Sequence, residues 1–202
     1  MVLGVTGGIA SGKSTVLRML AALGAETCSA DDLSRELTRP GEPTLEAIVR
    51  HFGPAMLRED GSLDRARLAG AVFADPDARR GLEAILHPPI LQRLQALAER
   101  DRAAPPNMEK VLALEIPLLY EVGCEGIVDR VLVVVAEHVT QIKRLKQRTG
   151  WPDGQVQAAV ASQLPLSHKA ARADYLVSTD GSLQDTEEQV RRVWLELGTP
   201  SV

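Results

Sequence analysis

A chain of 202 residues with a formal net charge of −4 carries no electrostatic footprint for a nucleic-acid backbone, and aromatics at 3 % are too few for a base-stacking platform. Hydrophobic residues at 45 % and charged residues at 25 % are those of a globular domain with room for one core and an inserted subdomain. Cys28 and Cys124 are too few for a disulfide framework, and no run approaches the ~20 apolar residues of a membrane helix. The chain opens directly in a strand-like run without a basic or cleavable leader, so the expectation is a cytoplasmic protein that binds neither nucleic acid nor membrane.

The apolar run Val2–Thr6 predicts a first strand, and Gly7-Gly8-Ile9-Ala10-Ser11-Gly12-Lys13-Ser14 follows it with the G-x-x-x-x-G-K-[ST] spacing of a phosphate loop. Ser14 to Leu23 then reads as a helix with Val16, Leu17, Leu20 and Leu23 on one face. The chemistry needs each part. Glycines let the backbone of Gly8, Ile9, Ala10, Ser11 and Gly12 turn successive N–H groups toward one anion. The helix start, through Lys13, Ser14 and Thr15, adds donors and the positive end of its dipole. Lys13 is placed to reach the β- and γ-phosphates, and the Ser14 hydroxyl to ligate Mg²⁺. A glycine-rich turn that binds nothing would not require strand, loop and helix in this register, so the expected ligand is a nucleoside triphosphate.

Gly24 marks the end of the first helix, Glu26–Ser29 a short second strand, and Ala30-Asp31-Asp32 the start of a helix running to about Thr38. The two carboxylates have two readings: helix capping and dipole compensation, or a general base at the C-terminal edge of a strand. Spacing alone does not separate them. Pro40-Gly41-Glu42-Pro43 breaks the chain, and Thr44 to about Arg102 shows helical patterning only, as expected of an inserted acceptor-binding subdomain over residues 40–104. Its apolar positions are Leu45, Ile48, Val49 and Phe52, then Leu68, Val72 and Phe73, then Leu82, Ile85 and Leu86, then Ile90, Leu94 and Leu97. Asp64 and Asp75-Pro76 are helix-start signals. His87-Pro88-Pro89 predicts a break or a new helix start, with His87 structural rather than catalytic on its own.

After the linker Ala103-Ala104-Pro105-Pro106-Asn107, Val111–Ile116 and Val128–Val135 have the largely apolar character of buried parallel strands. Glu115 ends the first of them, where it could hold Mg²⁺ through water or brace the loop. A basic helix follows from Val139 to Arg148, with Arg144 and Arg148 on one face. The turn Thr149–Gly154, a further helix to about Gln163, and then Lys169 and Arg172 suit a lid over residues 139–173 that closes on phosphates. Asp174–Ser178 predicts the last strand, and Leu183, Val190, Val193, Trp194 and Leu197 the inward face of a C-terminal helix. The fold expected is α/β: a doubly wound, mostly parallel sheet of about five strands with a helical subdomain and a helical lid.

Three function classes compete. A GTPase needs a guanine-reading N-K-x-D, and the one asparagine, Asn107, is followed by Met108. A motor or transport ATPase needs an apolar strand ending in Asp, which Glu115-Ile116-Pro117 and Ala136-Glu137 match poorly. A small-molecule kinase needs a phosphate loop, an orienting carboxylate, an acceptor pocket and an arginine-bearing lid, and all four occur in order.

Across nearly the whole chain the sequence resembles dephospho-coenzyme A kinases. The resemblance rests on Thr6–Thr15, Ser29-Ala30-Asp31, Leu63-Asp64-Arg65, Val72-Phe73, Ile85-Leu86-His87-Pro88 and Ile116–Glu121. It continues through Gln141 with Arg144 and Arg148, then Gln163-Leu164-Pro165, Lys169 and Ala173-Asp174-Tyr175. It implies ATP-dependent phosphorylation of the ribose 3′-hydroxyl of dephospho-coenzyme A, with Mg²⁺, as the last step of coenzyme A synthesis. A nucleotide or nucleoside kinase of similar architecture is the rival. The resemblance further implies that Asp31 accepts or orients the 3′-hydroxyl proton, that Lys13, Arg144 and Arg148 act on the phosphoryl group, and that Thr6, His87, Leu118, Leu119 and Lys169 contact the acceptor. Ser29 stands where the family has the first Asp of a pair, and Thr179 where it usually has an Asn near the adenine.

Overall fold

The computed structural model describes residues 1–104 and 110–198, with the side chains of Phe73 and Ala74 left aside. Pro105, Pro106 and Asn107 of the expected linker, and the Phe73 side chain, lie outside the described residues. In chain order the elements begin β1 (Val2–Gly7), α1 (Lys13–Ala22), β2 (Glu26–Ser29), α2 (Ala30–Leu37), α3 (Pro43–Phe52), α4 (Arg65–Ala74) and α5 (Pro76–Arg102). They continue β3 (Leu112–Glu115), β4 (Arg130–Val135), α6 (His138–Thr149), α7 (Asp153–Ala161), α8 (Leu166–Ala170), β5 (Tyr175–Ser178) and α9 (Leu183–Gly198).

The five strands form one parallel sheet in the order β2-β3-β1-β4-β5. Every residue of β1 is buried, as expected for a central strand covered on both faces. Leu3 and Val5 of β1 share a core with Val16 and Leu20 of α1 and Val190 and Val193 of α9. From β1 the strand order runs outward through β3 and β2 on one side and through β4 and β5 on the other. The crevice at the C-terminal end of β1 is therefore a topological switch point, where open α/β sheets bind ligands. Register brings Val5, Ser29 and Glu115 into one row across β1, β3 and β2, and Gly7 opposite Val134. No helix among the described residues is long and apolar enough to cross a membrane.

Two compact units divide the chain: Met1–Ser29 with the chain from Ala98 onward, and Ala30–Leu97. The first contains the sheet. The second is helical, and its core is Leu45, Ile48, Leu63 and Leu68, with Val49, Phe52, Leu82, Ile85 and Leu86 packed against them. Local chemistry sets its helix starts. Asp64 caps α4 by accepting from the Arg67 N–H at 3.0 Å. Asp75, before Pro76, accepts from the Asp77 N–H at 2.8 Å.

Two expectations are corrected. The helix does not break at His87-Pro88-Pro89; α5 runs from Pro76 to Arg102 with both prolines inside it. The missing N–H groups leave the Ala84 and Ile85 carbonyls without their helical donors, at about 3 kcal/mol or more per proline. Packing of Leu82, Ile85 and Leu86 before the prolines, and burial of Leu94 and Ala98 after them, hold both halves in helical conformation. Leu183, expected inward, is 67 % exposed. The first turn of α9 is held by a reciprocal cap instead: Asp185 accepts from the Ser182 N–H at 2.8 Å, and its own N–H donates to the Ser182 hydroxyl.

Candidate active site

The loop between β1 and α1 is shaped by backbone conformations that favour glycine. Gly12 lies in the left-handed region at φ 92°, and a Cβ there would meet Thr179 Cγ2 at 3.1 Å. A Cβ on Gly8 would overlap the Gln141 side-chain oxygen, so the end of that side chain would have to shift for any larger residue. Ala10 is the one non-glycine residue at positive φ among those described, at 57°. That conformation costs an L-residue roughly 1–2 kcal/mol. Such strain persists where function needs the shape.

Lys13 opens α1 and is buried. Its ammonium donates to the Gly8 carbonyl at 2.9 Å and lies 3.4 Å from that of Gly7, so the side chain folds back over the loop. No side chain caps α1, and no acidic residue sits in its first turn, which leaves the positive helix end to an anion from outside the chain. Ser14, next along, is exposed. The Ser11 hydroxyl is buried with no hydrogen-bond partner among the described residues. An orphaned polar group of that kind fits a loop made to surround a polyphosphate.

Two segments distant in sequence close onto the loop. The Ile9 N–H donates to the Gln163 side-chain oxygen at 2.8 Å. Thr179 donates its hydroxyl to the Ser11 carbonyl at 2.8 Å and itself receives Arg144, through Nη1 to the hydroxyl at 2.8 Å and Nη2 to the carbonyl at 2.6 Å. Arg144 is thereby fixed to the base of the phosphate loop. Arg148, one turn on, is exposed and makes no hydrogen bond or ion pair among the described residues. Gln141 is buried on the same helix and donates to the Ala136 carbonyl at 2.9 Å.

Beyond β3, the Pro117 carbonyl accepts from the Thr6 hydroxyl at 3.2 Å and from the Lys169 ammonium at 3.0 Å. Lys169 is 0 % exposed and pairs with Glu121 at 2.7 Å. The same Glu121 oxygen accepts the Leu164 N–H at 3.1 Å, while the second carboxylate oxygen is buried without a partner among the described residues. Thr6, Lys169 and Glu121 thus set the backbone around Leu118 and Leu119; Leu119 is fully buried and Leu118 half-buried. Glu115 is buried at the end of β3.

Asp31 and His87 belong to the helical unit. Asp31 is exposed in the first turn of α2, two residues after the end of β2, and beside it Asp32 pairs with Arg35 at 2.7 Å. His87 is half-buried within α5. Sequence reasoning assigned no role to Gln163 or Glu121. Each works through a contact between segments far apart in the chain, which periodicity does not register.

The family model for dephospho-CoA kinase (CoaE) matches residues 1–185. A dephospho-CoA kinase of Syntrophotalea carbinolica is 45 % identical over 191 residues, covering 94 % of this chain and 89 % of that one. A crystal structure from Thermus thermophilus, TT1252, superposes with a TM-score of 0.77 at 34 % identity, covering 99 % of this chain and 98 % of the other. A dephospho-CoA kinase from Campylobacter jejuni gives 0.68 at 27 % identity over 98 % and 96 % of the two chains. A phosphate loop by itself marks only a superfamily, but a match of this length extends through the helical unit and the basic helices as well, and the chain belongs to the dephospho-CoA kinase family.

Proposed function

We propose that the chain transfers the γ-phosphoryl group of ATP to the ribose 3′-hydroxyl of dephospho-coenzyme A, giving coenzyme A and ADP in the cytoplasm. The observation that carries the reading is the phosphate loop, with Lys13 turned over it and the start of α1 uncapped, in a chain of this family. On binding ATP, Lys13 exchanges the Gly7 and Gly8 carbonyls for β- and γ-phosphate oxygens, because a charge-assisted bond between two ions is the stronger. The N–H groups of residues 8–15 cradle the phosphates, and Thr179 adjoins the nucleotide through Ser11. Mg²⁺ would be held by the Ser14 hydroxyl and the phosphates themselves, the usual way this ion binds when substrate supplies most of its ligands. Bound there, it would neutralise charge developing on the phosphates.

Phosphoryl transfer is mainly positioning and charge stabilisation. Asp31 takes the role of orienting the 3′-hydroxyl and accepting its proton. Arg144 is held ready by Thr179, and Arg148 is the cation able to follow charge onto the transferring group as the segment 139–173 closes. Residues 40–104 receive the acceptor, with His87 in contact with it. Thr6 and Lys169 act by holding the Pro117 carbonyl, and so Leu118 and Leu119, against it. A coupled ADP-release assay with dephospho-coenzyme A, AMP, adenosine and pantetheine tests the reading. Dephospho-coenzyme A should give the highest kcat/KM; preference for AMP or adenosine would make the chain a nucleotide or nucleoside kinase instead.

A further inference from the structure

Within the helical unit, α2 and α4 bring two arginines together without a carboxylate to balance both. Arg65 Nη2 donates to the Thr38 hydroxyl at 2.6 Å, and that hydroxyl donates to the Ser34 carbonyl at 2.6 Å, keeping Thr38 in helical register one residue past α2. Thr38 is buried and forms a fixed anchor. One of the five guanidinium donors of Arg65 is used there, and Arg65 has no acidic partner among the described residues. Arg65 is exposed; partial desolvation first, and the neighbouring Arg35 guanidinium second, lower its pKa from the usual arginine value. Among the described residues Arg35 is paired only with Asp32, and both side chains are about two-thirds exposed, at 66 % and 64 %. Such a pair is worth little and is readily exchanged for a better anion. Arg65 on the Thr38 hydroxyl and Arg35 one turn earlier on α2 leave guanidinium donors open to solvent, where the forks of both can take an anion.

We infer that Arg35 and Arg65 bind the 5′-diphosphate of the acceptor, fixing it along α2 one turn from Asp31. Asp31, Arg35 and Thr38 are spaced i, i+4, i+7 and share one face of α2. One turn advances about 5.4 Å along the axis, comparable with the separation of the 3′-hydroxyl and 5′-phosphate of a single ribose. With the hydroxyl at Asp31, the diphosphate falls at the arginines. The subsite distinguishes an acceptor bearing a 5′-diphosphate from a bare nucleoside. It rests on the proposed reaction and on Asp31 as the hydroxyl partner.

The test uses the full-length protein. Arg65→Gln keeps a donor for Thr38 but removes the charge; Arg35→Gln alters an exposed side chain and serves if the first variant melts early. Calorimetric titration with dephospho-coenzyme A and with adenosine, alongside KM for ATP, separates the contributions. The expected result is at least tenfold weaker binding of dephospho-coenzyme A by each folded variant, with adenosine binding and the KM for ATP changed less than twofold. Arg65→Lys should recover part of the loss, since it restores charge without the fork. Equal binding of dephospho-coenzyme A by wild type and both variants overturns the subsite and leaves the reaction standing. An equal loss for adenosine also overturns it, because the arginines would then be acting through the fold. Failure of the wild type to phosphorylate dephospho-coenzyme A removes the reaction itself, and with it the subsite.

Discussion

The Gln163 side-chain oxygen accepts the Ile9 N–H at 2.8 Å, across 154 residues of chain. The phosphate loop therefore has one of its amides taken by the segment that follows α7. A phosphate oxygen arriving at Ile9 must displace Gln163, so nucleotide binding and release of this segment are coupled. Gln163→Ala should tighten ATP binding by a few-fold, the equivalent of one neutral hydrogen bond of about 1 kcal/mol. Gln163→Glu should weaken it more than tenfold, because a carboxylate holds the amide more strongly and repels the triphosphate. Equilibrium titration of both variants with ATP checks the coupling; identical affinities for both would show that Gln163 stays in place when ATP binds.

Arg144 and Arg148 share a helix face but should fail differently. Arg144→Ala removes two bonds to Thr179 and should lower the melting temperature along with activity, at about 1.5–3 kcal/mol for each charge-assisted bond lost. Arg148→Ala should melt like wild type while kcat falls on the order of 10²-fold, the typical loss for one preorganised charge. Thermal melts and steady-state rates separate the two. A change confined to KM in Arg148→Ala would make it a ground-state binder.

How much of this could be read from the chain alone depended on distance in sequence. The phosphate loop was legible because strand, glycines, Lys13 and helix are contiguous and each has a local reason. The parallel sheet was legible because Val111–Leu114 and Val131–Val135, within the two expected strands, are apolar throughout, as in a strand covered on both faces. Arg144 and Arg148 were recognisable as one face of a helix, but the clamp on Thr179 was not, since the partners are 35 residues apart. Lys169 was legible as a cation of the lid region, but its complete burial against Glu121 and the Pro117 carbonyl was not. The Pro88-Pro89 break failed for a related reason: packing on both sides of the prolines outweighed a local rule.

Acid stability should depend on Asp129. Burial alone would raise its pKa, but the Val2 N–H at 2.8 Å, Arg102 at 2.8 Å and the N-terminal charge outweigh burial and lower it below the usual carboxylate value. A carboxylate lowered in the folded state adds stability that is complete above its unfolded pKa, about 3.9, and is lost as pH falls through the folded value. Urea midpoints of wild type and Asp129→Asn should differ at neutral pH and converge in that acid window. A gap that stays constant down to the acid limit would mean that the charge of Asp129 is immaterial.

Cys124 should resist alkylation. Burial, and secondarily the Glu125 carboxylate, push its thiol up to about 11, and it donates to the Leu119 carbonyl at 3.4 Å. At pH 8 roughly one part in a thousand is thiolate, the reactive form. Cys28 is only partly buried. Iodoacetamide followed by peptide mapping should label Cys28 well before Cys124 in the folded protein, and both alike in urea; early labelling of Cys124 would show that the packing around it opens readily.

Asp31 and Asp32 stand side by side, yet consecutive residues of a helix are turned about 100° apart and cannot present the same face. The Asp32 carboxylate is turned to Arg35 at 2.7 Å, with both side chains well exposed. A pair of that kind contributes at most ~1 kcal/mol. Asp32→Asn should therefore keep its turnover and melt within a few degrees of wild type. If Arg35 serves the acceptor diphosphate, freeing it from Asp32 should leave KM for dephospho-coenzyme A equal or lower. Asp31→Asn preserves shape and hydrogen bonding while removing the charge that would take the hydroxyl proton. Its fold should survive and its kcat fall by roughly 10²-fold or more, the range expected for a positioned acid–base group. Rates and melts on both variants decide the assignment. An inactive Asp32→Asn beside an active Asp31→Asn would move the base by one residue, and the diphosphate geometry along α2 would have to be redrawn from Asp32.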